Sequence, residues 1–236
     1  MTAAACPQLF ERASAPYRAA GRFAFHFARG KLRGDPAFPA LLAQGWLAHS
    51  RRVLDLGCGQ GLLFAWLLAA RDCHAAGEWP AGWPPPPCCE SLIGIEMMGT
   101  DTRRAREAIG AAARFVEGDL RNVTLGAADA VVMLDVLHYL EPQAQVDLLA
   151  RVRTALQPEG VFLLRVGDAA GGLGFRLSQW VDRLVLRARG HRAPRLHCRT
   201  VPEWRTLLAS HGFRSEAHPL SQGTPFANVL LVARPV

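Results

Sequence analysis

From about residue 50 onward, short apolar runs alternate with longer stretches in which apolar and polar positions mix at helical spacing. Val53-Leu54-Asp55-Leu56, Leu92-Ile93-Gly94-Ile95, Phe115-Val116-Glu117, Ala130-Val131-Val132-Met133-Leu134 and Val161-Phe162-Leu163-Leu164-Arg165-Val166 have the length and apolar character of strands buried on both faces. Between them, Gln60 to about Ala70, Thr100 to Ala113 and Gln143 to Leu156 read as helices; the last is opened by Glu141-Pro142 and stopped by Gln157-Pro158-Glu159-Gly160. Strands and helices in alternation predict a doubly wound α/β fold around a mainly parallel sheet. The chain closes with a helix capped by Thr200 and Glu203, with Trp204, Leu207 and Leu208 on its core face and its end at His211-Gly212-Phe213, and an antiparallel-type pair of strands, about Arg214–Leu220 with Ala227–Ala233.

Three segments stand outside this alternation. Leu9 to about Ser50 reads as two or three short helices broken at Gly30, Gly34-Asp35-Pro36 and Gly45, a helical cap ahead of the first strand. Arg71 to Glu90 holds Trp79, Trp83 and four consecutive prolines, so it neither continues a helix nor enters a central strand and is expected to be an inserted surface loop. Gly167 to Gly174 is glycine-rich and leads into a helix from about Phe175 to Arg189, a hinge and a lid. The expected organisation is one domain over residues 1–236: a cap at 1–50, a core at 51–169 and 200–236, and a lid at 170–199.

Composition narrows the class. A chain of 236 residues, 50% apolar, is long enough for one well-buried α/β domain. It has no apolar run long enough to cross a membrane, and its first residues lack a basic stretch followed by a long apolar one, so a cytoplasmic protein is expected. The six cysteines are scattered without a C-x-x-C pair, which fits free thiols and gives no metal site. The net charge of +7 is concentrated between Arg176 and Arg199, where seven arginines and two histidines face a single acid, Asp182. Such a run is either a solvated helix face or a surface for an anionic partner.

Chemistry is signalled where the first strand runs through Asp55 into Gly57-Cys58-Gly59-Gln60-Gly61 and then into an apolar helix. Glycine is required where the backbone takes positive φ or lies against a ligand, and the helix start that follows presents unpaired N–H groups. A dinucleotide fingerprint places two residues between the second and third glycines; here there is one, with an aspartate two residues before the first. Further apolar strands end in acids, in order Glu96, Glu117-Gly118-Asp119 and Asp135. This order resembles class I S-adenosylmethionine-dependent methyltransferases over roughly residues 50 to 236, with Gly59 and Glu96 set further apart than usual by the inserted loop.

The resemblance implies a seven-stranded Rossmann-like sheet, parallel with one antiparallel strand, and S-adenosyl-L-methionine as cofactor. By carry-over, Asp55, Gly57, Gly59 and Gly61 seat its methionine end, Glu96 the ribose hydroxyls, Asp119 and the Leu120 backbone the adenine, and Asp135 borders the transferring methyl. His138 and Tyr139 follow at the same strand end; His138 is either a general base or a pocket-lining residue. Ala20 to Leu32 is similar to the start of small methyltransferases found with aryl-polyene and polyketide-type pigment genes in bacteria. That implies a small aromatic or carrier-bound acyl acceptor, methylated on oxygen or ring carbon; the near absence of acids in the arginine lid separately fits an anionic partner, whether an acidic carrier protein, nucleic acid or an acidic membrane surface. The crowded aromatic segment of the cap offers Tyr17 and His26 as substrate contacts. The rivals are a nucleic-acid or protein methyltransferase, a cofactor-binding partner without turnover, and a dinucleotide reductase. The first is disfavoured for nucleic acid because Asp135-Val136-Leu137-His138 is not an Asn/Asp-Pro-Pro-Tyr stretch.

Overall fold

A computed structural model describes residues 7–170, 196–221 and 227–236. The elements are α1 (Pro7–Ser14), α2 (Arg22–Gly34), α3 (Ala37–Ala43), β1 (Arg52–Leu56), α4 (Leu62–Ala75), β2 (Ser91–Glu96), α5 (Gly99–Ile109), β3 (Arg114–Glu117), β4 (Ala128–Leu134), α6 (Pro142–Ala155), β5 (Leu156–Gly167), α7 (Val201–Ser210), β6 (Phe213–Pro219) and β7 (Asn228–Pro235). They form the expected seven-stranded sheet, in the order β3-β2-β1-β4-β5-β7-β6, with β7 antiparallel to both neighbours and the remaining pairs parallel.

Apolar clusters cover both faces. On one, Phe64, Trp66 and Leu67 of α4 pack with Tyr17, Leu32 and Leu41 of the cap; on the other, Leu148, Leu149 and Val152 of α6 pack with Trp204 and Leu208 of α7. Helix α4 is apolar nearly all round because it lies between the sheet and the cap, with α1 packed across it. Gly30 does not break the cap: α2 runs through it unbroken, since Ala24, Ala28 and Leu32 bury one continuous stripe while Gly30 lies on the exposed side. A helix-interior glycine costs only about 1 kcal/mol, which that burial outweighs.

Strand β5 also departs from expectation. It begins at Leu156, directly after α6; Leu156 pairs with Ala128 and the next pair is Val161 with Ala130, so Gln157 to Gly160 form a bulge within the strand. A proline is tolerated there because the bulge needs no ladder hydrogen bond from it. Gly160 is required by proximity: a Cβ would lie 2.7 Å from Leu156 Cγ and 2.9 Å from the Asp129 carbonyl oxygen. The inserted loop packs rather than projects. Trp79 donates to the Pro84 carbonyl at 3.1 Å, meets Trp83 edge to face, and adjoins Glu78, which pairs with Arg12 of α1. The expected lid helix and all but Arg199 of the arginine cluster lie outside the described residues.

Candidate functional site

The glycine turn leaves β1 and is tied to the neighbouring strand: the Gly57 and Cys58 N–H groups both donate to the Ile95 carbonyl, at 2.8 and 3.1 Å. All three glycines have positive φ, but for different reasons. A Cβ on Gly57 would fall 2.4 Å from Val136 Cγ2, and one on Gly61 2.8 Å from Phe115 Cζ, so these two are fixed by packing. Gly59 has no described atom within 4 Å of its would-be Cβ, so that side of the backbone is open to approach.

Two carboxylates flank this open turn. Glu96, at the carboxyl end of β2, accepts the Gly59 N–H on Oε2 and the Met98 N–H on Oε1, both at 2.9 Å. Burial raises its pKa, against the lowering effect of those N–H groups. Asp55 of β1, paired with Gly94 and so two residues deeper in the sheet than Glu96, is buried and no donor among the described residues reaches it. Burial first, and then the charge of Glu96, pushes its carboxyl up to about 8. A buried carboxylate without a donor is costly, and a cation would relieve it.

Tyr17 supports the turn from the cap. Its ring is fully buried and its hydroxyl donates to the Gln60 carbonyl at 2.8 Å, so this group is spent on main chain at the glycine turn. Tyr17→Phe leaves that buried carbonyl without its donor and is expected to lower stability by about 1–3 kcal/mol in urea unfolding; an unchanged midpoint would show that the bond contributes nothing. His26 lies on the exposed side of α2 with its ring 5.5 Å from Phe25. Asp119 is held by Arg121 through both carboxylate oxygens, which lowers its pKa, and the buried Leu120 gives its carbonyl to Arg151.

At the end of β4, Asp135 has φ +61°, the one positive value among the described non-glycine residues. Its carboxylate is gripped by the guanidinium of Arg165, through Nε at 2.8 Å and through the second terminal nitrogen, while its N–H donates to the Arg165 carbonyl at 3.2 Å. Arg165 is only 1% exposed and reaches with Nη1 to Asp35 of the cap at 2.5 Å; Lys31 closes the row on Asp35 at 2.8 Å. Burial raises the Asp35 pKa, but Arg165 and Lys31 outweigh it and hold it well below the usual range. Likewise, burial works against the Arg165 charge, yet the two aspartates keep it firmly ionised. Sequence reasoning missed this row. Its one signal is an arginine inside an apolar run whose neighbours are buried on both faces.

His138 and Tyr139 sit in a short 3-10 turn, Leu137–Tyr139, beyond Asp135. His138 is buried, which lowers its pKa, with Asp135 opposing, and its ring is 4.3 Å from that of Tyr139. The turn is roofed by residues 197–199: the His197 N–H donates to the His138 carbonyl at 2.8 Å. Fully buried Gln145, also missed, donates to the carbonyls of Leu137, Leu140 and His197 and accepts from Arg199. The strand-end acids, the glycine turn and the 137–139 turn therefore meet at one edge of the sheet, its carboxyl edge.

A mainly parallel sheet with a glycine turn and flanking acids at its carboxyl edge defines a Rossmann-like ligand-binding domain. The chain belongs to the methyltransferase domain family, whose profile matches residues 16–218. It is 38% identical over 188 residues to acetylserotonin O-methyltransferase of Mus musculus molossinus, covering 73% of this chain and 42% of that protein. It is 31% identical over 129 residues to carboxy-S-adenosyl-L-methionine synthase of Chromohalobacter salexigens, covering 52% and 43%. The chain thus spans less than half the length of either relative. Among solved structures, the mitomycin 7-O-methyltransferase MmcR superposes with a TM-score of 0.63 at 18% identity, over 97% of this chain and 68% of that one. Human N-acetylserotonin methyltransferase in complex with S-adenosylmethionine superposes with a TM-score of 0.60 at 21% identity, over 97% and 59%. These two share the fold.

Proposed function

We propose that the chain is an S-adenosylmethionine-dependent methyltransferase acting on a small aromatic or carrier-bound acyl acceptor, through an oxygen or a ring carbon. The observation that carries the cofactor assignment is the open Gly59 backbone between Glu96 and a buried Asp55 that no donor among the described residues reaches. Asp55 offers a charge to a cationic group, and Glu96 keeps unused lone pairs on both oxygens after accepting its two N–H bonds, enough for a pair of ribose hydroxyls. Asp119 and Leu120 follow on the next loop, where the adenine assignment puts them.

Bound there, the cofactor supplies an electrophilic methyl group on a sulfonium. The chain's own part is to hold the acceptor close, to exclude water and to take a proton where the acceptor is a hydroxyl. His138 suits the last role, because burial keeps its imidazole neutral at neutral pH. The O-methyltransferase names among relatives and structural neighbours support an oxygen acceptor. The pigment-type acceptor is supported by the resemblance of residues 20–32, and an acidic carrier by the seven arginines against one acid between Arg176 and Arg199.

The test is calorimetric titration with S-adenosylhomocysteine, with NAD as control. Free Asp55 stays protonated up to about pH 8, and a cation beside it favours the ionised form, so binding below that pH releases a proton. Affinity is expected to rise with pH up to about 8, and the observed enthalpy at pH 7 to change with the buffer's ionisation enthalpy. Binding without buffer dependence would remove Asp55 from the site; binding of NAD alone would overturn the methyltransferase assignment.

A further inference from the structure

We infer that Arg165, and through it Asp35 of the cap, is a positioning residue that holds Asp135 in the left-handed conformation and thereby sets the fit between the β4 end and the glycine turn. The coupling is visible step by step. Arg165 holds Asp135 at both ends, its carbonyl taking the Asp135 N–H and its guanidinium the Asp135 carboxylate. That grip fixes φ at +61°, a conformation aspartate visits but does not prefer. The next residue, Val136, is then placed so close to Gly57 that a single Cβ there would overlap it at 2.4 Å. Gly57 opens the turn whose Gly59 N–H rests on Glu96. The planar fork of arginine is suited to this task, because it grips one carboxylate bidentately and still reaches a second. That second carboxylate, Asp35, belongs to α2's end, so the cap orients the guanidinium.

A buried ion pair can also serve stability alone, and removing one partner of such a pair is destabilising in any case. The two roles separate through glycine, which adopts positive φ without a side chain to hold it. The inference deepens the methyltransferase assignment and rests on it for the ligand, so the experiment has one arm that needs no ligand. In the full chain, Arg165→Met and the double variant Arg165→Met with Asp135→Gly are compared with wild type by S-adenosylhomocysteine titration, by thermal unfolding and by hydrogen exchange of the peptide spanning Val53 to Trp66. Arg165→Met is expected to weaken binding by about tenfold or more and to speed exchange across Gly57–Gly61. The double variant is expected to restore slow exchange across Gly57–Gly61 while its unfolding temperature stays low because both ion pairs are still absent; affinity is read on Arg165→Met alone, because Asp135 is itself assigned to the ligand site.

If the double variant does not recover protection, or if Arg165→Met alone matches wild type in both protection and affinity, the positioning role is overturned. Should Arg165→Met fail to fold, Arg165→Lys, which keeps the charge and loses the fork, takes its place with the same glycine rescue. Absence of ligand binding in wild type would count against the methyltransferase assignment, and the exchange arm would still decide the role of Arg165.

Discussion

Glu96→Ala is expected to weaken S-adenosylhomocysteine binding by well over tenfold while leaving a folded protein. A hydrogen bond to a charged group contributes about 1.5–3 kcal/mol, and about 1.4 kcal/mol is a factor of ten. In the proposed complex Glu96 takes two hydroxyls, and it already holds the Gly59 and Met98 N–H groups at 2.9 Å. Alanine removes the ligand's acceptors and the brace of the glycine turn together, so the loss on binding exceeds that of either alone. The fold survives because Glu96 is half-buried at a strand end and the turn keeps its bonds from Gly57 and Cys58 to the Ile95 carbonyl. Calorimetric titration beside a thermal melt measures both. Affinity equal to wild type in a folded variant would sink the ribose assignment.

Gly57→Ala and Gly59→Ala are expected to fail in opposite ways. At Gly57 the new Cβ lies 2.4 Å from Val136 Cγ2 and 2.9 Å from Cγ1, and φ is +76°. Valine has little rotamer freedom to yield. Left-handed strain of about 1–2 kcal/mol and overpacking of about 1–3 kcal/mol add to a loss of about 2–5 kcal/mol, a large part of the roughly 5–15 kcal/mol that holds a domain folded. At Gly59 no described atom lies within 4 Å of the Cβ position, so Gly59→Ala carries only the backbone strain and stays folded. It is expected instead to lose ligand binding, because the methyl group occupies the side from which a ligand approaches. Urea unfolding and titration on the two variants decide the matter. Equal stabilities would refute the packing role of Gly57, and wild-type affinity in Gly59→Ala would place the ligand elsewhere.

What the sequence made legible was local. Val53 to Gly61 announces strand, turn and helix by residues that touch their near neighbours, and the strand-end acids Glu96 and Asp135 mark where apolar runs stop. The capping box at Thr200 and Glu203 forms as its spacing requires. Other features depend on partners far apart in the chain. Arg165 is unremarked in its own strand until Asp35, 130 residues earlier, is brought against it. Gln145 reads as a polar helix residue until residue 197, 52 positions on, arrives over it. The β5 bulge was hidden for a different reason: Gln157-Pro158-Glu159-Gly160 has the chemistry of a stop, and only pairing with Ala128 shows that the strand had already begun. Asp119 was legible as a loop acid, but not the arginine two residues on that grips it.

The row from Lys31 to Arg165 also joins partners that are made far apart in time. Ribosomes add about 5–20 residues per second, so Asp35 emerges on the order of ten seconds before the guanidinium it will meet. In the folded chain the end of α2 carries a local counter-ion as well: Lys31 stands one turn before Asp35 and pairs with it at 2.8 Å. The only lysine of the chain thus gives Asp35 a partner four residues away, one that does not depend on the fifth strand.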